Sequence, residues 1–180
     1  QGQIHHFLGV LYDLSGDRER AIERYEEAIR HGPELAEAKN NLAYIYADSG
    51  QNLDRALDLA QDAKALMPDN PSVADTLGWV LLKRGVPSAA IGYLKEAEAA
   101  TKPEDASLGV VRFHLAQAYE ANGDTADALK AVDRALESLG AQMEAVSAKG
   151  GDPGPEPEWA AEARALRERS IADPWRQARH

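Results

Sequence analysis

Cysteine is absent from the 180 residues, so disulfide bonds and thiolate chemistry are excluded. That absence does not place the chain in a compartment, because reducing and oxidising locations both tolerate cysteine-free proteins. A membrane-crossing run is also missing: no stretch approaches the roughly 18 consecutive apolar residues that a bilayer span requires. Positive charge is in deficit, with a formal net charge of −10, which argues against nucleic acid as a partner, since binding phosphates needs a basic surface. The deficit lies in residues 1–155, because Glu156 to the C-terminus carries five acids and five arginines. Such an acidic body disfavours acidic partners and anionic membrane surfaces. No secretory signal is read at the front, an absence that carries little weight because the chain opens at Gln1 already inside a helix pattern.

Catalytic signatures are equally scarce. There is no H-E-x-x-H, no phosphate-cradling glycine loop after a strand and no cysteine nucleophile. The five histidines, two of them adjacent at His5 and His6 and one terminal at His180, lack metal-ligand spacing. Neither a cofactor nor a metal is expected, and the chain is read as not an enzyme. Alternating strand patterns are negligible, and apolar residues account for 44% of the chain against 28% charged, the balance of a folded protein.

What the sequence does hold is a skeleton that returns four times. Leu8, Leu42, Leu77 and Leu115 are each followed at once by Gly9, Ala43, Gly78 or Ala116. Eight residues beyond each leucine stands Gly16, Gly50, Gly85 or Gly123, and then Ala21, Ala56, Ala90 or Ala128. The leucines step by 34, 35 and 38 residues. Such a period with one glycine turn per unit is the signature of stacked helical hairpins. The apolar spacing predicts paired helices over 3–14 and 18–31, 36–48 and 53–66, 72–84 and 87–100, then 108–121 and 125–139. Each glycine lies where a left-handed residue closes a helix at little cost, and Asp17 and Asp124 are predicted N-caps. The uneven steps fall in GQNLD and TKPEDAS, inter-helix loops where added length costs little.

The domain reading is four units (2–35, 36–70, 71–105 and 106–140), a flexible Gly/Pro-rich linker over 141–157, a capping helix over 158–172 and a tail over 173–180. Trp159, Ala163 and Leu166 share one face of that last helix. Asp173-Pro174 is expected to stop it, and an exposed Trp175 to be available for docking. The chain opens already inside a repeat, with no polar-backed helix ahead of it, and further repeats are expected upstream.

These positions resemble the tetratricopeptide repeat, whose pattern is W-x₂-L-G-x₂-Y…A-x₃-F…P. The first unit reads His5, Leu8, Gly9, Tyr12, Ala21, Tyr25, Ala28, Pro33, departing only at the opening tryptophan. The later units keep Leu42, Ala43, Tyr46, Ala56, Ala63 and Pro68, then Leu77, Gly78, Ala90 and Ala97, then Leu115, Ala116, Tyr119, Ala128 and Ala135. Gly140 stands where the fourth unit's proline would be. The resemblance implies an all-α fold, a right-handed superhelix of about four tetratricopeptide hairpins with a C-terminal capping helix.

It also implies that first helices line a concave groove. The family's groove positions fall on His6, Phe7 and Val10, on Asn40, Asn41 and Tyr44, on Asp75, Thr76 and Trp79, and on Phe113, His114 and Gln117. Aromatic faces beside amides suit an extended peptide or a partner helix, and an asparagine such as Asn41 can both donate to and accept from a peptide backbone. The plainer readings stand beside these: Tyr12, Tyr46 and Tyr119 are read as core, His6 and His114 as incidental polar surface, and Trp79 is balanced between partner anchor and stacking residue. The carboxylate clamp of heat-shock chaperone adaptors needs lysine and arginine with asparagine. Here only Asn41 fits, while the basic positions hold His6, Ser72 and Thr76. Asp13, Glu37, Asp48, Asp75 and Glu120 instead favour a neutral or basic segment.

The expectation is therefore a non-catalytic scaffold that binds a protein or peptide in the groove, with no nucleic acid and no direct membrane insertion. Two alternatives stand beside it: the substrate-recruiting arm of a larger enzyme, and a module that self-assembles into a homo-oligomer. The phrases NNLAYIYADSG and DTLGWVLLKRG resemble bacterial family members associated with the envelope and exopolysaccharide export. That resemblance points to the cell envelope or periplasm, and otherwise the cytoplasm.

Overall fold

A computed structural model describes residues 1–172. The predicted tail over 173–180, with the proline stop and Trp175, lies outside the described residues. Among these residues the secondary structure is helical throughout, in two compact units that divide at Val86 and Pro87. The first unit holds α1 (Gly2–Leu14), α2 (Arg18–His31), α3 (Ala36–Ser49), α4 (Leu53–Leu66) and α5 (Pro71–Lys83). The second holds α6 (Pro87–Ala100), α7 (Leu108–Asn122), α8 (Thr125–Ala148) and α9 (Glu158–Ala172). The all-α expectation holds.

Helices of 13 or 14 residues are marginal alone in water, so pairing must hold them. In the first unit α1 packs on α2, α3 on α4, and α3 also on α2 and α5. The repeat alanines make this close approach available. Ala21, Ala28, Ala56, Ala63, Ala90, Ala97, Ala128 and Ala135 are all fully buried. Gly16, Gly50, Gly85 and Gly123 take left-handed backbones with φ between +68° and +89°, which costs glycine nothing. The extra residue of GQNLD is absorbed there too, because Asn52 adopts φ +49° beside Gly50. Asp17 caps α2 by accepting from the backbone N–H of Arg20 at 3.2 Å. Asp124 does not act as its counterpart on α8: its carboxylate takes the Asn122 side-chain amide at 2.7 Å.

One boundary moves. α8 continues to Ala148 rather than ending at 139, so residues 141–148 are helix and not linker. No proline interrupts AQMEAVSA, and Gly140 is exposed with nothing near its missing side chain, a cost of only about 1 kcal/mol. The chain then returns through Pro153, Pro155 and Pro157, which share a small hollow with Leu139, Met143, Val146 and Trp159. From there α9 lies against α7 and α8. It buries Ala160, Ala163, Leu166 and Ser170, and Arg167 and Arg169 pair with Asp133 of α8 and Glu120 of α7.

Candidate functional site

Within the first unit, four of the expected groove residues converge. His6 and Val10 from α1 and Asn40 and Asn41 from α3 line a hollow of about 210 Å³. Glu37, Met67, Asn70, Ser72 and Val73 complete its wall. His6 and Val10 stand four apart and so share one face of α1, while the consecutive Asn40 and Asn41 reach the same hollow from α3.

The polar groups there are unequally satisfied. Asn41 donates its side-chain amide to the Tyr25 hydroxyl at 3.3 Å and approaches His6 Nε2 at 3.5 Å. The His6 ring lies 5.9 Å from the Tyr25 ring and 5.8 Å from that of Phe7. Asn40 is only 7% exposed, and its amide reaches Asn41 Oδ1 at 3.5 Å. Its own Oδ1 is buried without a hydrogen-bond partner. Leaving a buried acceptor unmade costs about 1–3 kcal/mol, and such a group calls for an explanation. Lys39, next in sequence, brings no free charge to the hollow, because its ammonium is tied to Asp62 at 2.6 Å.

Further along the unit the surface is acidic. Burial pushes the Tyr44 hydroxyl up to about 12, and the nearby carboxylates of Asp48, Asp75 and Asp13 push the same way against Arg18. Burial also raises Asp13, opposed by Arg18 and reinforced by Asp48, while Arg18 is clipped to Asp48 at 2.6 Å.

Other expected residues are withdrawn from solvent. Trp79 is 5% exposed with the Lys83 ammonium 4.2 Å above its ring, which makes it a packing residue and not an open anchor. Asp75 and Thr76 are buried too, and Phe7 stands out in solvent at 65% exposure. In the second unit Phe113 is a correction. It is 3% exposed and stacks under Trp159 of α9 with centroids 5.7 Å apart, so α9 takes the surface that a guest would need. His114 beside it is buried, and Gln117 is half-buried. Met67 and Asn70 are residues that the repeat pattern missed. Asn70 caps α5 by accepting from the N–H groups of Ser72 and Val73, and the Asn-Pro step at its start was the available signal. Among the described residues, no group of three or more His, Asp or Glu side chains could hold a metal ion, and no helix is long and apolar enough to cross a membrane.

The tetratricopeptide repeat signature of known proteins matches residues 8–71 and 76–145. The chain belongs to the tetratricopeptide repeat family. The photosystem I assembly protein Ycf3 of Prochlorococcus marinus, a relative by sequence, is 33% identical over 88 residues, covering 47% of this chain and 50% of its own. The chain thus spans about half the length of that relative. Among solved structures, the type IV pilus biogenesis factor PilW aligns with a TM-score of 0.67 at 19% identity, over 95% of this chain and 78% of its own. MamA aligns at 0.62 and 19% identity, over 97% and 88%. At such identities the structures speak for the tetratricopeptide fold alone.

Proposed function

We propose that this tetratricopeptide chain is a non-catalytic interaction scaffold that takes an extended peptide or a partner helix along its first helices, with a neutral or basic segment preferred. One observation carries the reading: the buried Asn40 oxygen, unpartnered, on a hollow that His6, Val10 and Asn41 also line. A peptide N–H is the donor it lacks. Asp13, Asp48 and Asp75 around Tyr44 supply the preference for positive or neutral guests. The names of Ycf3 as an assembly protein and PilW as a biogenesis factor agree with a scaffolding role. For location, the envelope remains our reading from the sequence phrases.

The test is selection from a displayed random-peptide library, followed by titration against Asn40→Ala. Removing an unsatisfied buried amide should leave the free protein equally or more stable, while weakening the selected peptide by about tenfold, the loss of one hydrogen bond. Unchanged affinity, or selection of acidic peptides, would overturn the assignment.

A further inference from the structure

The walls of the hollow between α1, α3 and the start of α5 are rich in acceptors and hold no permanent cation. Glu37 and Asn40 stand three residues apart on α3, so they share one face of that helix, and both line the hollow. Asn40 is nine-tenths buried, with its Oδ1 unpartnered. Glu37 is exposed and, among the described residues, takes part in no ion pair or hydrogen bond. No lysine or arginine lines the hollow. Lys39, the neighbour of Asn40, is spent on Asp62.

Resting on the groove reading, we infer that the guest presents one arginine, whose guanidinium enters this hollow and bonds both Glu37 and Asn40. At about 210 Å³ the hollow lies below the roughly 300–1,000 Å³ of sites that enclose a small molecule, and it suits one side chain of a larger guest. Val10, Met67 and Val73 give the methylene stem an apolar wall. A guanidinium is a planar fork with five N–H donors, so it can bond a carboxylate twice and still offer an N–H to an amide oxygen beside it. It is also more weakly hydrated than a lysine ammonium, which makes entry beside a buried atom easier. The Asn40 oxygen has two lone pairs, enough for this bond and a backbone N–H of the same guest. The contact also sets register. Gln3 in α1 and Ser72 in α5 hold the place of Glu37, so within the first unit only α3 carries a carboxylate there. An extended guest shifted by one repeat would lose its charged partner.

Selection from a displayed random-peptide library on the full chain, read position by position, tests this. Arginine should be enriched at one position, and lysine there less strongly. A synthetic copy of a selected peptide then carries citrulline in place of that arginine, which keeps the shape and removes the charge. Wild-type protein should bind the citrulline peptide about tenfold or more weakly, the loss of a charge-assisted bond. With Glu37→Gln the same replacement should change affinity by no more than about twofold, because the paired charge is already gone. Glu34→Gln removes an equal charge outside the hollow and should leave the full citrulline penalty, which separates the pocket from the general attraction of a chain of net charge −10. Both glutamates are exposed, and circular dichroism should show unchanged helix content in both variants. Three results would overturn the arginine pocket while leaving the groove reading in place. They are binders that weaken with Asn40→Ala yet share no arginine, lysine enriched as strongly as arginine, and a citrulline penalty that survives Glu37→Gln. A library that yields no binder would overturn the groove reading, and this inference with it.

Discussion

Replacing Gly9 by alanine tests the repeat packing more sharply than any truncation, because it adds one carbon to a known place. A Cβ at Gly9 would stand 2.6 Å from Tyr25 Cε1 and 2.7 Å from Cδ1. Tyr25 is 1% exposed and its hydroxyl accepts from Asn41, so the ring has nowhere to go without breaking that bond. Overpacking of this kind costs about 1–3 kcal/mol. Against it stands the helical preference of alanine over glycine, about 1 kcal/mol. The net expectation is a loss of roughly 0–2 kcal/mol, the difference of those two estimates. Gly92 and Gly140 lie inside α6 and α8 with nothing within 4 Å of the added carbon. There the same substitution keeps only the propensity gain, about 0.5–1 kcal/mol. Urea unfolding followed by far-UV circular dichroism compares all three, and Tyr25→Leu supplies the control: in that background Gly9→Ala should turn from loss to gain. A Gly9→Ala protein that gains as much as Gly92→Ala would refute the contact. The other repeats carry the same logic in their composition, since Ala43 is matched by Ala60 and Ala116 by Val132 at the corresponding positions, smaller partners that leave room for a methyl group.

Trp159→Ala should uncover Phe113 and loosen α9 from α7 and α8, at about 3–5 kcal/mol for a large aromatic truncation and less in proportion to its half-exposed position. Hydrogen exchange should show α9 losing protection before α7, and equal protection in both proteins would count against the cap. Tyr44 adds a pH signature. Burial holds its folded pKa at about 12, above the ordinary tyrosine value of about 10, so the folded state keeps a proton that the unfolded chain releases. Its contribution is constant below pH 10 and is lost between pH 10 and about 12. The loss is at most about 2–3 kcal/mol, by linkage over two pKa steps. Alkaline unfolding of Tyr44→Phe should lack that part of the slope, and an unchanged slope would show that the hydroxyl is not held as described.

The hairpins were legible because their determinants are local. A glycine that must turn left-handed and an alanine that must sit under a crossing helix each recur at fixed distance, and the structure places all of them as expected. The end of α8 was not legible. The reading ended that helix where a proline should stand, whereas nothing in AQMEAVSA opposes a helix and the returning prolines give its extra turns a surface to cover. The groove was legible only as an angular assignment. Helical spacing says which way a side chain leaves its helix, but not what arrives over it from elsewhere in the chain. Trp159 reaches Phe113 from 46 residues away, outside any repeat. The adjacent asparagines make the same point within one turn. Asn41 looks like the better ligand for a peptide by its position, yet its amide is already engaged by the Tyr25 hydroxyl, and Asn40 is left with an oxygen that nothing reaches. Two identical side chains thus differ in how far they are satisfied because an aromatic hydroxyl on α2 extends to one and stops short of the other, a difference set by distances across the packed helices.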